Sequence, residues 1–164
     1  ELFGKSLIEH QINAYKSCNI SDISVVTGFR NDSITISNVR YFRNERYQIT
    51  NMIESLFCAE KILNGDVIVS YGDIIFEKNV LKLLIQSDND ISVIIDKNWK
   101  DYWSIRSKNP LEDLESLKLD SNGNITSIGQ KVKKLEEIEG QYIGLMKFSE
   151  NGVNILKEFY RQSS

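Results

Sequence analysis

The chain has 164 residues, 41% hydrophobic and 26% charged, with a net charge of -3. That length supports one domain with a real core, and the composition is that of an ordinary globular protein. The slight acidity argues against a broad basic surface for nucleic acid. No apolar run is long enough to span a bilayer, and one histidine with two cysteines does not make the usual zinc ligand set.

No leader pattern opens the chain, and Cys18 and Cys58 stand alone within helix-like stretches. Two reduced cysteines in a cytoplasmic protein are therefore expected. From the N-terminus, Lys5 to Cys18 spaces Ile8, Ile12, Tyr15 and Cys18 along one helical face, which predicts an amphipathic helix with Asn19 ending it. His10 is read as a surface residue of that helix. Asp22 to Gly28 reads as a short strand closed by glycine, and Val39 to Phe42 as another extended piece. A second helix is predicted over Asn51 to Leu63, with Ile53, Leu56, Phe57, Glu60 and Leu63 on one face and Asn64-Gly65 as its stop.

The apolar stretch from Asp66 to Phe76 contains Val67-Ile68-Val69 without polar alternation, as in a strand buried on both faces. It breaks at Gly72-Asp73, so a carboxylate lands at the carboxyl end of a central strand, where open α/β sheets bind their ligands. Asp73 is the candidate centre of chemistry. A helix from Asn79 to Gln86 and a strand from Asp90 to Asp96 follow. Leu114 to Leu119 and Asn124 to Gly129 flank Asp120-Ser121-Asn122-Gly123, a hairpin turn. A strand through Tyr142 to Phe148 and a helix from Asn151 to Tyr160 complete the chain. Together these elements predict an α/β protein, Rossmann-like and three-layered α/β/α. Its sheet would be mixed and mainly parallel, with antiparallel additions in the second half. A single domain over residues 1–164 is expected.

Several stretches resemble the nucleotidyltransferase superfamily, the enzymes that make sugar nucleotides and CDP-activated head groups. They are Gly4 to Gly28, Thr50-Asn51-Met52-Ile53-Glu54-Ser55-Leu56 and Ser70-Tyr71-Gly72-Asp73. Trp99 to Trp103, Asp113 to Glu115, Ile128-Gly129-Gln130-Lys131 and Gly140 to Leu145 are similar to a narrower branch. That branch comprises the cytidylyltransferases acting on phosphocholine, 2-aminoethylphosphonate and related small phospho-compounds. In the family a strand, a glycine-rich loop with an arginine and a Pro-Lys pair precede the Gly-Lys that stands here at Gly4-Lys5. The resemblance therefore implies either that these residues are a piece of a longer protein, without its phosphate loop, or that the missing segment is supplied elsewhere.

The resemblance implies attack by a phosphate or phosphonate oxygen on the α-phosphorus of a nucleoside triphosphate, CTP by preference, with release of pyrophosphate. It implies Mg²⁺ held by Asp73, beside Gly72. Lys131 stands where the family's lysine contacts the substrate phosphate, although with Lys133 and Lys134 it also reads as solvated surface. Gly144 would let backbone approach a ligand, or serve a tight strand crossing. Thr50 and Asn51 would face the nucleotide, while Asn51-x-x-Glu54 is equally a capping box. Arg40, Arg43 and Arg46 read as surface arginines.

For the acceptor, Trp99, Tyr102 and Trp103 lie close in sequence, with Arg106, Asp113 and Glu115 following. Aromatic faces and carboxylates suit a cationic head group, and Arg106 suits phosphate or phosphonate oxygens. The same tryptophans could pack a core, with the carboxylates on an exposed strand end. Two alternatives stand beside the cytidylyltransferase: a sugar-1-phosphate nucleotidyltransferase, and a non-catalytic nucleotide-binding domain. Oligomeric state is not legible.

Overall fold

The computed structural model describes residues 1–106 and 114–163, and within that range leaves the side chains of Tyr102, Ser104 and Arg106 outside the description. Two compact units arise: Glu1–Ser92 with Lys147–Ser164, and Val93–Met146. Mixed sheets and helices give the expected α/β class. No helix among the described residues is long and apolar enough to cross a membrane.

In the first unit, α1 (Leu7–Ser17) opens with a complete capping box between Ser6 and Glu9. The Ser6 hydroxyl and backbone N–H donate to the Glu9 carboxylate at 2.7 and 2.8 Å. Those bonds, the hydroxyl first, hold the Glu9 carboxyl below its usual range. Asn19, at φ 63°, ends the helix in the left-handed region, and Ile20 N–H returns to the Tyr15 carbonyl; both are marks of a Schellman cap. The helix buries Gln11, Ile12 and Tyr15. Strand β1 (Ser24–Thr27) pairs in parallel with β2 (Arg40–Arg43), Ser24 opposite Arg40 and Thr27 opposite Arg43. Arg40 also pairs with Asp22.

The second predicted helix is shorter than its periodicity suggested. Helix α2 runs only Met52–Phe57, and Glu60–Ile62 is a 3₁₀ turn. The tighter turn puts Ala59 and Leu63 in the core and leaves Glu60 outside, where it meets Arg161 at 3.0 Å. A continuous α-helix would have turned Glu60 inward with Phe57, which stacks on Tyr160 with centroids 3.6 Å apart. Strand β3 is Val67–Ser70 and half-buried at every position, less enclosed than its apolar run implied. Helix α3 (Lys78–Ile85) buries Leu81 and Leu84, and β4 is Ile91–Asp96.

In the second unit, α4 (Trp99–Arg106) precedes β5 (Glu115–Leu119) and β6 (Ile125–Lys131), an antiparallel hairpin. Its turn closes as the sequence indicated: the Asp120 carboxylate accepts from the Asn122 and Asn124 backbone N–H groups, both at 2.8 Å. Trp99, Leu114, Val132 and Ile138 form a core cluster with Trp103 packed against it. Strand β7 (Gln141–Phe148) carries the chain back to the first unit, where α5 (Glu150–Ser163) closes it.

Candidate functional site

Strand β3 stops at Ser70, and the chain turns through Gly72 and Asp73. The turn is held from α1. Gln11, 6% exposed, donates from its carboxamide nitrogen to the carbonyls of Tyr71 and Ile74, each at 2.7 Å. The Gln11 carboxamide oxygen accepts from the Ser70 hydroxyl at 3.2 Å. One helical turn further, Tyr15 meets Phe76 edge-to-face with centroids 5.6 Å apart. Burial pushes the Tyr15 hydroxyl above its usual range, and its hydrogen bond with Ser70 opposes that shift.

Asp73 stands exposed on this turn. Its carboxylate is therefore available. Among the described residues no group of three or more His, Cys, Asp or Glu side chains gathers to hold a metal. One open carboxylate is nonetheless the donor set that Mg²⁺ uses beside substrate phosphates, since that ion keeps most of its shell for water and phosphate oxygens. The residues present fit such an ion. Beside Asp73, a Cβ at Gly72 would meet nothing within 4 Å, and its backbone is not left-handed. Neither packing nor conformation requires a glycine there.

Thr50 and Asn51 have local duties. The Thr50 hydroxyl donates to the Arg46 carbonyl at 2.9 Å and accepts from the Asn44 side chain at 2.8 Å. Asn51 is the N-cap of α2, its side-chain oxygen accepting from Glu54 N–H at 3.0 Å. Asn44, 4% exposed, also donates to the Ser55 hydroxyl at 2.9 Å and accepts from Arg46 N–H. Sequence reasoning passed over both Gln11 and Asn44. Gln11 did carry a signal: it is polar, yet it lies three residues after Ile8 and four before Tyr15, on the apolar stripe. Asn44 carried none that separates it from a surface loop asparagine.

In the second unit, Glu115 and Lys131 face each other as register partners. Both are exposed. The register slips between Glu115 and Leu117, and Gly129, at φ 80°, takes up the extra residue as a bulge. Ser116 is buried and accepts from Gln130 N–H at 3.1 Å, and Gln141 donates to the Glu115 carbonyl at 2.9 Å. These bonds fix the two charges on a stiff ribbon.

Of the two readings of Trp99, its burial favours packing. At 2% exposure its ring belongs to the core with Leu114, Val132 and Ile138, and the Lys100 ammonium lies 5.6 Å from its centroid. It offers no open face to a head group. Trp103 is half-buried against the same cluster. Asp113 and the side chains of Tyr102 and Arg106 lie outside the described residues. Gly144 is buried in β7 at φ 86°, a conformation that alone calls for glycine.

Residues 1–135 match the family model of the MobA-like NTP transferase domain. The chain belongs to that family. As a MobA-like NTP transferase it is a nucleotidyltransferase, in agreement with the resemblance read from its motifs. A curated relative, the CTP:phosphoglutamine cytidylyltransferase of Campylobacter jejuni, is 37% identical over 98% of this chain and 67% of its own length. Among solved structures, the 4-diphosphocytidyl-2C-methyl-D-erythritol synthase of Anaerococcus prevotii superposes with a TM-score of 0.60 at 14% identity. It covers 98% of this MobA-like chain and 67% of its own. At that identity the likeness speaks for the fold alone.

Proposed function

We propose that this protein transfers CMP from CTP to a small phosphorylated or phosphonate compound bearing an amino group, with release of pyrophosphate in the cytoplasm. The observation that carries the reading is 37% identity, along 98% of the chain, to a cytidylyltransferase whose acceptor is phosphoglutamine. The free thiols of Cys18 and Cys58 accord with a reducing compartment.

Asp73 is the residue to hold Mg²⁺, which would neutralise charge on the triphosphate as the new bond to the α-phosphorus forms and the bond to pyrophosphate breaks. The chain's own work is to position two anions and keep them from repelling each other. Gly72, open in front and free of packing demands, lets backbone approach the nucleotide. Asn51 keeps the N-terminus of α2 in place on the nucleotide side, with Thr50 beneath it. Lys131 takes the acceptor's phosphate, and Glu115 its ammonium. Facing residues of an antiparallel pair have Cβ atoms about 5 Å apart, a spacing suited to the two ends of a compact zwitterion. Trp99 has no part in this reading, and Trp103 acts through packing. Arg106 and Asp113 remain assigned to the acceptor side by sequence alone, and Gly144 to the β7 backbone.

Pyrophosphate release measured for CTP, UTP, ATP and GTP against four acceptors tests the proposal. The acceptors are phosphoglutamine, phosphocholine, 2-aminoethylphosphonate and glucose-1-phosphate. Turnover with CTP and an amino-bearing acceptor is expected, and its loss in Asp73→Ala of the full-length protein. Retained turnover in that variant removes Asp73 from the metal. Preference for glucose-1-phosphate moves the acceptor to sugars.

A further inference from the structure

We propose that Gln11 is a positioning residue for Asp73: its carboxamide, bonded to the backbone on both sides of Asp73, aims the carboxylate and thereby sets metal affinity. The inference rests on the reading of Asp73 as the metal-holding residue. The geometry is specific to the turn. Tyr71 lies two residues before Asp73 and Ile74 one after it, and one amide nitrogen donates to both of their carbonyls at 2.7 Å. The oxygen of the same side chain takes the Ser70 hydroxyl at the end of β3. The Gln11 carboxamide thus spans the segment from Ser70 to Ile74, while Asp73 itself stays exposed.

The anchor is also stiff. Gln11 is buried, as are Ile12 and Tyr15 of α1, and that helix is fixed at its start by the Ser6–Glu9 box. On the far side of the turn, Phe76 is buried against Tyr15. A leucine would fill the Gln11 volume, yet it would remove the donor that the Tyr71 and Ile74 carbonyls share and loosen the turn. A residue chosen for packing alone has no reason to be an amide here. Partners that orient a metal ligand typically change affinity by about 10- to 100-fold when removed.

The test is Mn²⁺ binding to the full-length protein with CTP and no acceptor, read from the free-ion electron paramagnetic resonance signal, so that no turnover is needed. Gln11→Met keeps length and volume and removes both donors. It is expected to weaken Mn²⁺ binding about tenfold, with the acceptor KM unchanged. Gln11→Glu gives a pH signature. Its buried carboxyl, raised in pKa by desolvation, can donate to one carbonyl only when protonated, so its defect relative to wild type at each pH should shrink from pH 8 to pH 6. This variant also carries the test where Gln11→Met does not fold. Wild-type Mn²⁺ affinity in Gln11→Met, or a Gln11→Glu defect independent of pH, overturns the positioning role. Asp73→Asn separates the two ideas: if it keeps wild-type affinity, Asp73 is not the ligand and both fall. If it loses affinity while Gln11→Met does not, only the role of Gln11 falls.

Discussion

Gly72 and Gly144 show how differently two glycines can be explained. Gly144 sits buried in β7 with φ 86°, so its backbone accounts for it. Gly72 has neither a left-handed φ nor a neighbour within 4 Å of a built Cβ, so its own chain does not account for it. Gly72→Ala should therefore leave the fold intact. By restricting the unfolded chain it should even stabilise by about 0.4–1 kcal/mol. If the open space belongs to the nucleotide, the same methyl raises the KM for CTP. Thermal unfolding and steady-state kinetics on one preparation give both numbers, and an unchanged KM would show that nothing approaches Gly72. The nearby Gln11 is the complementary case, a buried polar group whose partners are all backbone or hydroxyl atoms of the turn it supports.

At the scale of elements, the start of α5 is set by its contact with the entry to β4. The Ser149 hydroxyl donates to Asp90 at 2.6 Å, and Asn151 donates to the other carboxylate oxygen at 2.8 Å. A Cβ on Gly152 would clash with the Asp90 carbonyl oxygen, far inside the contact distance of the two atoms. Gly152→Ala must push α5 away from that backbone, and overpacking of this kind costs about 1–3 kcal/mol. A urea melt should show a lower midpoint, and an unchanged one would place slack where the structure shows none.

The elements that were legible in the sequence had local causes. Asn51 with Glu54, Asn19, and Asp120 to Gly123 place their donors, acceptors and left-handed residues within a few positions of one another, so caps and hairpin could be read directly. The Gly72-Asp73 turn was legible for the same reason. What holds it was not, because Gln11 is 60 positions from Tyr71. Trp99 is similar: an aromatic run looks the same in a core as in a pocket, and its burial depends on Leu114, Val132 and Ile138. The end of α2 at Phe57 needed Tyr160, a hundred residues on, to be foreseen.

Resistance to acid is a property of the whole molecule. Asp90 is held below its usual range by hydrogen bonds, first from Ser149 and then from Asn151. Asp120 is lowered mainly by Asn124, and Glu9 by Ser6. A carboxyl depressed in the folded state stabilises it above the unfolded value, about 3.9 for Asp and 4.3 for Glu, and that contribution fades as pH falls through the lower folded value. Stability should therefore be flat from neutral pH to about 5 and fall below about pH 4. In Asp90→Asn the fall should be shallower, because the fixed neutral side chain has no proton to take up. Denaturant midpoints from pH 6 to 2 measure both slopes, and parallel slopes would deny Asp90 its share.

The division of the chain at Ser92 and Met146 has a consequence for its biosynthesis. The second unit is one unbroken stretch, complete once Met146 has left the ribosome, whereas the first needs Lys147 onward. Until then Phe57 lacks its stacking partner Tyr160 and Glu60 lacks Arg161. The Ile85 and Ser87 carbonyls still await the Lys147 ammonium, at 3.2 and 2.8 Å in the finished fold. The unit begun first is thus the unit that finishes last. A chain stopped before α5 would present the Asp73 turn on a unit still open, as a target for chaperones and proteases before it could be a site for chemistry.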